Sequence, residues 1–439
     1  MPITTSTNPA SPSTSPLAHT ATLAFALIVS LFFLWGMANN LNDILIKQFK
    51  KAFELSDFQA GLVQSAFYMG YFLLAMPAGV CMRRFGYKGT LLIGLGLYAA
   101  GAFLFYPAAA VHTYGLFLLA LFVIASGLAF LETSANPLVT VLGPAESATQ
   151  RLNFAQSFNP LGSIAGILVG QHFIFSGVEH TQAELAAMTP AARNAYYAAE
   201  SAAVQMPYLV IGAIVVAWAV LIAFVRFPAL AEDTSHDAKS GSAHIGRLLR
   251  NSRFMFAVLA QFFYVGAQVG VWSYLIRYVQ STMPGTPEKS AANFLTASLV
   301  VFMVGRFAGT ALMRRIAPVR LLGVFAATNI ALTAFAVLVP GAFGAYALVA
   351  TSFFMSVMFP TIFSLGLDDL GDDDRKLGSP FLVMAIVGGA LLTIAMGATS
   401  DWMGIHWAFA VPTLCFIVIF WFAMQVRRRG PIPTAAGNG

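Results

Sequence analysis

Two carboxylates and a small set of carboxamides stand inside otherwise apolar sequence. Asp43 closes FFLWGMANNLND (32–43), three and four residues after Asn40 and Asn39, so all three share one helical stripe. Glu132 sits in LETSANP (131–137), with Asn136 one turn on and Pro137 behind it. Gln156 and Asn159 share a face in AQSFNPLGSIAG (155–166), followed by Pro160. An ionisable side chain inside a membrane helix is costly and usually faces a polar pathway. Asp43 therefore reads as a proton-handling carboxylate and Glu132 as a binding or coupling acid. Carboxamides both donate and accept, which suits a hydroxyl-rich ligand. Each proline also withholds an amide from the carbonyl four residues earlier, which leaves Thr133 and Gln156 with free acceptors.

Each group has a plainer reading. Asp43 can pair with Lys47 at a helix end, although Asn39 and Asn40 extend the polar face inward. Glu132 can be a neutral acid used for packing. Gln156 and Asn159 can be polar glue between helices.

The elements that must position these groups are membrane helices. The 439 residues are 58% hydrophobic and 10% charged, with a mean hydropathy of +0.75. Soluble domains carry about a quarter charged residues. Twelve apolar segments are long enough to span a bilayer, near 22–47, 57–80, 89–110, 113–141, 150–176, 204–227, 252–280, 291–313, 319–339, 342–367, 377–399 and 403–426. The expected architecture is an all-α membrane protein of two six-helix halves, 21–227 and 251–427. A polar cytoplasmic linker (228–250) joins them. A Ser, Thr and Pro-rich disordered tail (1–20) precedes them, and a short tail (428–439) follows. With both termini in the cytoplasm, 17 of the 24 Lys and Arg fall on the inner side and six on the outer. The halves resemble each other: Phe32-Phe33-x-x-Gly36 recurs as Phe262-Phe263-x-x-Gly266, and Met82-Arg83-Arg84 as Met313-Arg314-Arg315. Near-equal offsets point to an internal duplication of parallel repeats about a midplane cavity.

Of the 18 acids, Asp43 and Glu132 alone fall inside the spans, the rest (Glu200 included) reading as loop or terminal residues. The acidic stretch 368–374 reads as a solvated loop. Arg306 is either a buried cation near the cavity or a residue snorkelling to an interface. Trp35, Tyr264, Trp272, Phe302 and Phe359 are aromatic candidates for the cavity wall, where a ring can cover the apolar face of a pyranose. Cys81 and Cys415 are too few for a disulfide scaffold, and no histidine spacing suggests a metal.

The stretches FFLWGMANNLNDILI (32–46), LVQSAFYMGYFLLAMPAG (62–79), LETSANP, AQSFNPLGSIAGILVGQ (155–171), FFYVGAQVGVWSYLIRY (262–278) and FPTIFSLG (359–366) resemble the major facilitator superfamily, in particular its fucose permease branch. Glucose/galactose permeases share the LND and LVQ elements, and the paired asparagines before LND favour the fucose type. The resemblance implies proton-coupled monosaccharide symport across a bacterial inner membrane by a monomer, with the proton as coupling ion and no cofactor or nucleic-acid partner. It ties Asp43 to proton coupling and Glu132 to sugar recognition and coupling. It places Asn40, Gln156, Asn159, Trp272 and Phe302 at the sugar; Trp35, Asn39, Asn136, Gln268 and Phe359 are further substrate-binding candidates beside it. Two departures stand out. The loop after helix 2 reads Gly79-Val-Cys-Met-Arg83-Arg84, without the family's aspartate, and Phe359 replaces a tyrosine. A non-transporting sugar sensor would want a long output domain, and an enzyme a nucleophile or metal constellation. The sequence offers neither.

Overall fold

A computed structural model of the chain describes residues 16–53, 57–174, 182–225, 227 and 241–428. The first half contributes α1 (Pro16–Ala52), α2 (Asp57–Ala110), α3 (Tyr114–Val141), α4 (Ala148–Gln156), α5 (Phe158–Val169), α6 (Gln182–Ala187), α7 (Pro190–Ala202) and α8 (Gln205–Phe224). Then come α9 (Gly241–Arg250), α10 (Ser252–Thr282), α11 (Glu288–Leu312), α12 (Pro318–Leu338), α13 (Ala342–Met355) and α14 (Met358–Leu367). The last four are α15 (Asp372–Met384), α16 (Gly388–Met403), α17 (Ile405–Ala408) and α18 (Ala410–Arg428). Every regular element among the described residues is helical.

Nine described stretches are long and apolar enough to cross a bilayer. One of them, Ala66–Ala110, has 45 residues, about 67 Å at the helical rise. That is twice the bilayer core of about 30 Å. Its interruption is Gly86, at φ 70° and ψ 179°, a conformation that glycine adopts without a Cβ penalty. The second and third spans thus meet at a corner. The fifth span is broken at Ser157, between α4 and α5, and ends in a π turn over Gly170–Ile174. The tenth is α13 plus α14 and the eleventh α15 plus α16. Large apolar side chains stand out from the surface, Phe343 at 75% and Trp402 at 87% exposure, as lipid-facing residues do.

The internal repeat has a packing counterpart. A Cβ on Gly162 of α5 would overlap the Phe33 carbonyl of α1, and one on Gly388 of α16 would overlap the Phe262 carbonyl of α10. The two FFxxG helices are therefore each approached, backbone against backbone, by a glycine of their partner helix.

Three expectations change. The described part of α1 is already helical at Pro16, inside the expected tail. Glu200 is not a loop residue: it lies in α7, is 2% exposed, and accepts from Gln48 Nε2 at 2.7 Å. The stretch 368–374 is not merely solvated. Asp374 meets His244 at 2.5 Å and Arg247 at 3.4 Å, Asp369 pairs with Arg253, and Asp372 holds Lys376 at 2.8 Å. Burial, and then the neighbouring Asp369, push the Asp368 carboxyl above its ordinary value. Lys376 pairs within α15, but His244 and Arg247 come from α9 and Arg253 from α10, so this network stitches those helices to the start of α15.

Candidate functional site

Helix α3 carries Glu132 and Asn136 on one face, both at most 2% exposed. Pro137 leaves the Thr133 carbonyl without its intrahelical amide, and Ser379 Oγ of α15 donates to it at 2.6 Å. At the break in the fifth span, Pro160 leaves the Gln156 carbonyl open in the same way. Arg306 Nη1 of α11 donates to that carbonyl at 3.3 Å and to Gln156 Oε1 at 3.2 Å. Gln156 Nε2 then donates to Asn136 Oδ1 at 2.9 Å. Both acceptors exposed by proline are thus taken by donors of the other half.

Glu132, Gln156 and Arg306 border a cavity of about 510 Å³, within the usual range of small-molecule sites. Trp35, Glu132, Gln156 and Asn159 line it from the first half, and Gln268, Trp272, Phe302 and Phe359 from the second. Both walls mix rings with polar groups. The first half supplies Glu132, two carboxamides, Ser163 and the rings of Phe32, Trp35, Phe67, Tyr68 and Tyr71. The second supplies Gln268, Ser273, Arg306 and three rings, with Trp272 edge-on to Phe302 at 5.0 Å and its indole N–H bonded to Ser352 Oγ at 3.1 Å. Asn159 also ties the cavity to α1, its Nδ2 donating to the Phe32 carbonyl at 3.4 Å.

Not every expected residue reaches the wall. Asn136 is fully buried behind Gln156, because one more turn of α3 carries it under α4. Tyr264 lies beneath Phe359, its hydroxyl donating to the Met355 carbonyl at 3.1 Å. The side chains of Asn39, Asn40 and Asp43 lie outside the described residues, although the backbone of all three belongs to α1. Tyr68, Tyr71, Ser163 and Ser273 line the cavity and carry no distinguishing signal among so many aromatic and small residues. Arg306 resolves as a buried cation of the cavity: it is 4% exposed, with its guanidinium 4.9 Å from the Phe302 ring centre.

Toward the face where α1 begins and α18 ends, the halves close on each other. Asn153 Nδ2 donates to Thr361 Oγ1 at 3.1 Å, Thr149 and Ser364 hydroxyls lie 2.9 Å apart, and Gln150 Nε2 reaches the Thr310 carbonyl at 3.4 Å. Gly79 of α2 seats against Pro380 and the Lys376 carbonyl of α15, and the Lys376 ammonium lies 5.6 Å from the Tyr87 ring centre. Together with Ser379–Thr133 and Arg306–Gln156, this belt joins the two halves. The termini side is sealed.

A model of the Major Facilitator Superfamily matches residues 23–379. The chain is 51% identical over 405 residues to the L-fucose-proton symporter of Escherichia coli, covering 91% of this chain and 92% of that one. It is 38% identical to the glucose/galactose transporter of Brucella abortus, covering 94% and 98%. The crystal structure of a Major Facilitator Superfamily transporter, FucP, in the outward conformation superposes with a TM-score of 0.87 at 50% identity, covering 93% of this chain and 99% of that one. With its all-helical, multi-pass architecture and the cavity between two halves, the chain belongs to the Major Facilitator Superfamily.

Proposed function

We propose that this protein is a proton-coupled sugar symporter of a bacterial inner membrane, importing L-fucose by alternating access. The observation that carries this reading is 51% identity, along nearly the whole length, to an L-fucose-proton symporter. The cavity supports it: carboxamides and hydroxyls from both halves suit sugar hydroxyls, rings from both halves suit the apolar face of a pyranose, and Glu132 borders the same space. The two halves, 21–227 and 251–427, rock about the connection 228–250, with both termini cytoplasmic and the protein working as a monomer.

A carboxyl cut off from water holds its proton, and one facing water exchanges it with that side, loading from the more acidic side and releasing to the less acidic one. In the state sealed at the termini side, Asp43 takes a proton from outside and the sugar enters between the walls. Neutralised and loaded, the cavity closes above and parts along the Thr149–Ser364 belt. Proton and sugar leave inward. Coupling requires the charged, empty carrier to cross slowly, since an unpaired carboxylate resists dehydration.

Uptake of labelled L-fucose, with D-galactose and D-glucose as competitors and external pH recorded in sodium-free buffer, tests the reading. L-Fucose is expected to accumulate, compete best and alkalinise the medium. Transport without alkalinisation would mark a facilitator or a sodium symporter, and better competition by D-glucose or D-galactose a sugar preference like that named for the relative at 38% identity.

A further inference from the structure

Arginine carries only donors, so its contacts impose a direction on any carboxamide that touches it. Arg306 Nη1 donates to Gln156 Oε1, which turns Gln156 Nε2 toward Asn136 and makes the Asn136 oxygen its acceptor. Asn136 is left with its own amide N–H₂ free, fully buried and without a partner among the described residues, one helical turn from Glu132. The orientation of two carboxamides of the first half is therefore dictated from the second. Packing fixes the guanidinium itself, which is stacked by Phe302, 4% exposed, and anchored also on the Gln156 carbonyl that Pro160 leaves open. That anchor crosses the line along which the halves must part.

We propose that Arg306 is a positioning residue of the sugar site, holding the cavity-lining Gln156 in its binding orientation, with Asn136 locked behind it, only while the termini side is sealed. Opening that side withdraws α11, frees the Gln156 side chain to turn, and dissolves the site as the sugar gains its exit. High affinity in one state and low affinity in the other then follow from a single residue that need not touch the sugar. The inference rests on the sugar-binding reading above for its ligand, but not for the cross-half tie.

Two measurements separate the parts. L-Fucose binding is read through tryptophan fluorescence, Trp35 and Trp272 both lining the cavity. Arg306→Met is expected to weaken binding at least tenfold and Arg306→Lys, still a pure donor, to recover most of the loss. Because Arg306 acts through Gln156, Arg306→Met combined with Gln156→Leu should bind no worse than Gln156→Leu alone. Affinity within twofold of the parent for Arg306→Met, or losses that multiply, would overturn the proposal. The second measurement uses no sugar. Thr149→Cys, in a protein lacking Cys81 and Cys415, should react with a membrane-permeant maleimide several-fold faster once Arg306 is methionine. Unchanged labelling in folded protein also overturns it, whichever sugar the carrier takes. If the unmodified protein ignores L-fucose, the substrate reading falls, and the labelling result alone decides on Arg306.

Discussion

Asp43→Asn is expected to abolish uphill sugar accumulation while leaving exchange of internal for external sugar largely intact. The amide keeps the shape and hydrogen-bonding capacity of the carboxyl but has no proton to carry. For one proton per sugar, a gradient of one pH unit supplies about 1.4 kcal/mol, enough for roughly tenfold accumulation. The variant should fall from that level to the equilibrium ratio of about one. Parallel assays of pH-driven uptake and counterflow in the same vesicles check it, and undiminished accumulation would remove Asp43 from coupling. Lys47, four residues on, offers the competing role of a paired acid at the helix end. In that case both assays would decline together, through lost stability.

Gly79→Ala should act at the opposite end of the cycle. A Cβ there would overlap the Pro380 ring and press within 3.1 Å of the Lys376 carbonyl, both on α15. Overpacking of this kind costs about 1–3 kcal/mol, and the cost falls on the sealed state because the contact exists there. The populations of the two states should shift by roughly 5- to 150-fold toward the form open at the termini side. Spin labels at Phe85→Cys and Asp373→Cys, on α2 and α15, read the change as a longer distance. A distribution identical to the parent's would show that the seal does not bear on Gly79. The same glycine heads the segment that lacks the family's aspartate. Acids near this end are supplied instead by α15, where Asp372 pairs with the buried Lys376.

How much of this is legible in the sequence differs from residue to residue. The spans, the repeat and the prolines are readable because each depends on local composition or spacing. Even the open carbonyls of Thr133 and Gln156 follow from where Pro137 and Pro160 stand. What takes those acceptors is not readable: Ser379 and Arg306 lie 246 and 150 residues away. Glu200 escapes for the same reason, since α7 is a short amphipathic helix that reads as polar loop and its partner Gln48 is 152 residues distant. Asn136 reads as a sugar contact because helical spacing gives the face of a residue but not its depth. The stretch 368–374 reads as solvated because three of its four bases, His244, Arg247 and Arg253, sit on α9 and α10, and composition alone does not dock one helix on another.

The two prolines also bear on where the carrier waits between cycles. Each exposed carbonyl has a protein donor in the sealed form and must make do with water, or nothing, in the other. A hydrogen bond of this kind contributes about 1 kcal/mol net. Two of them tilt the resting population by roughly thirtyfold toward the form closed at the termini side. Restoring an amide with Pro137→Ala or Pro160→Ala should flatten that tilt, readable between the same two spin labels as a larger open fraction without sugar. Residues usually counted as helix breakers would then set the idling position of the machine.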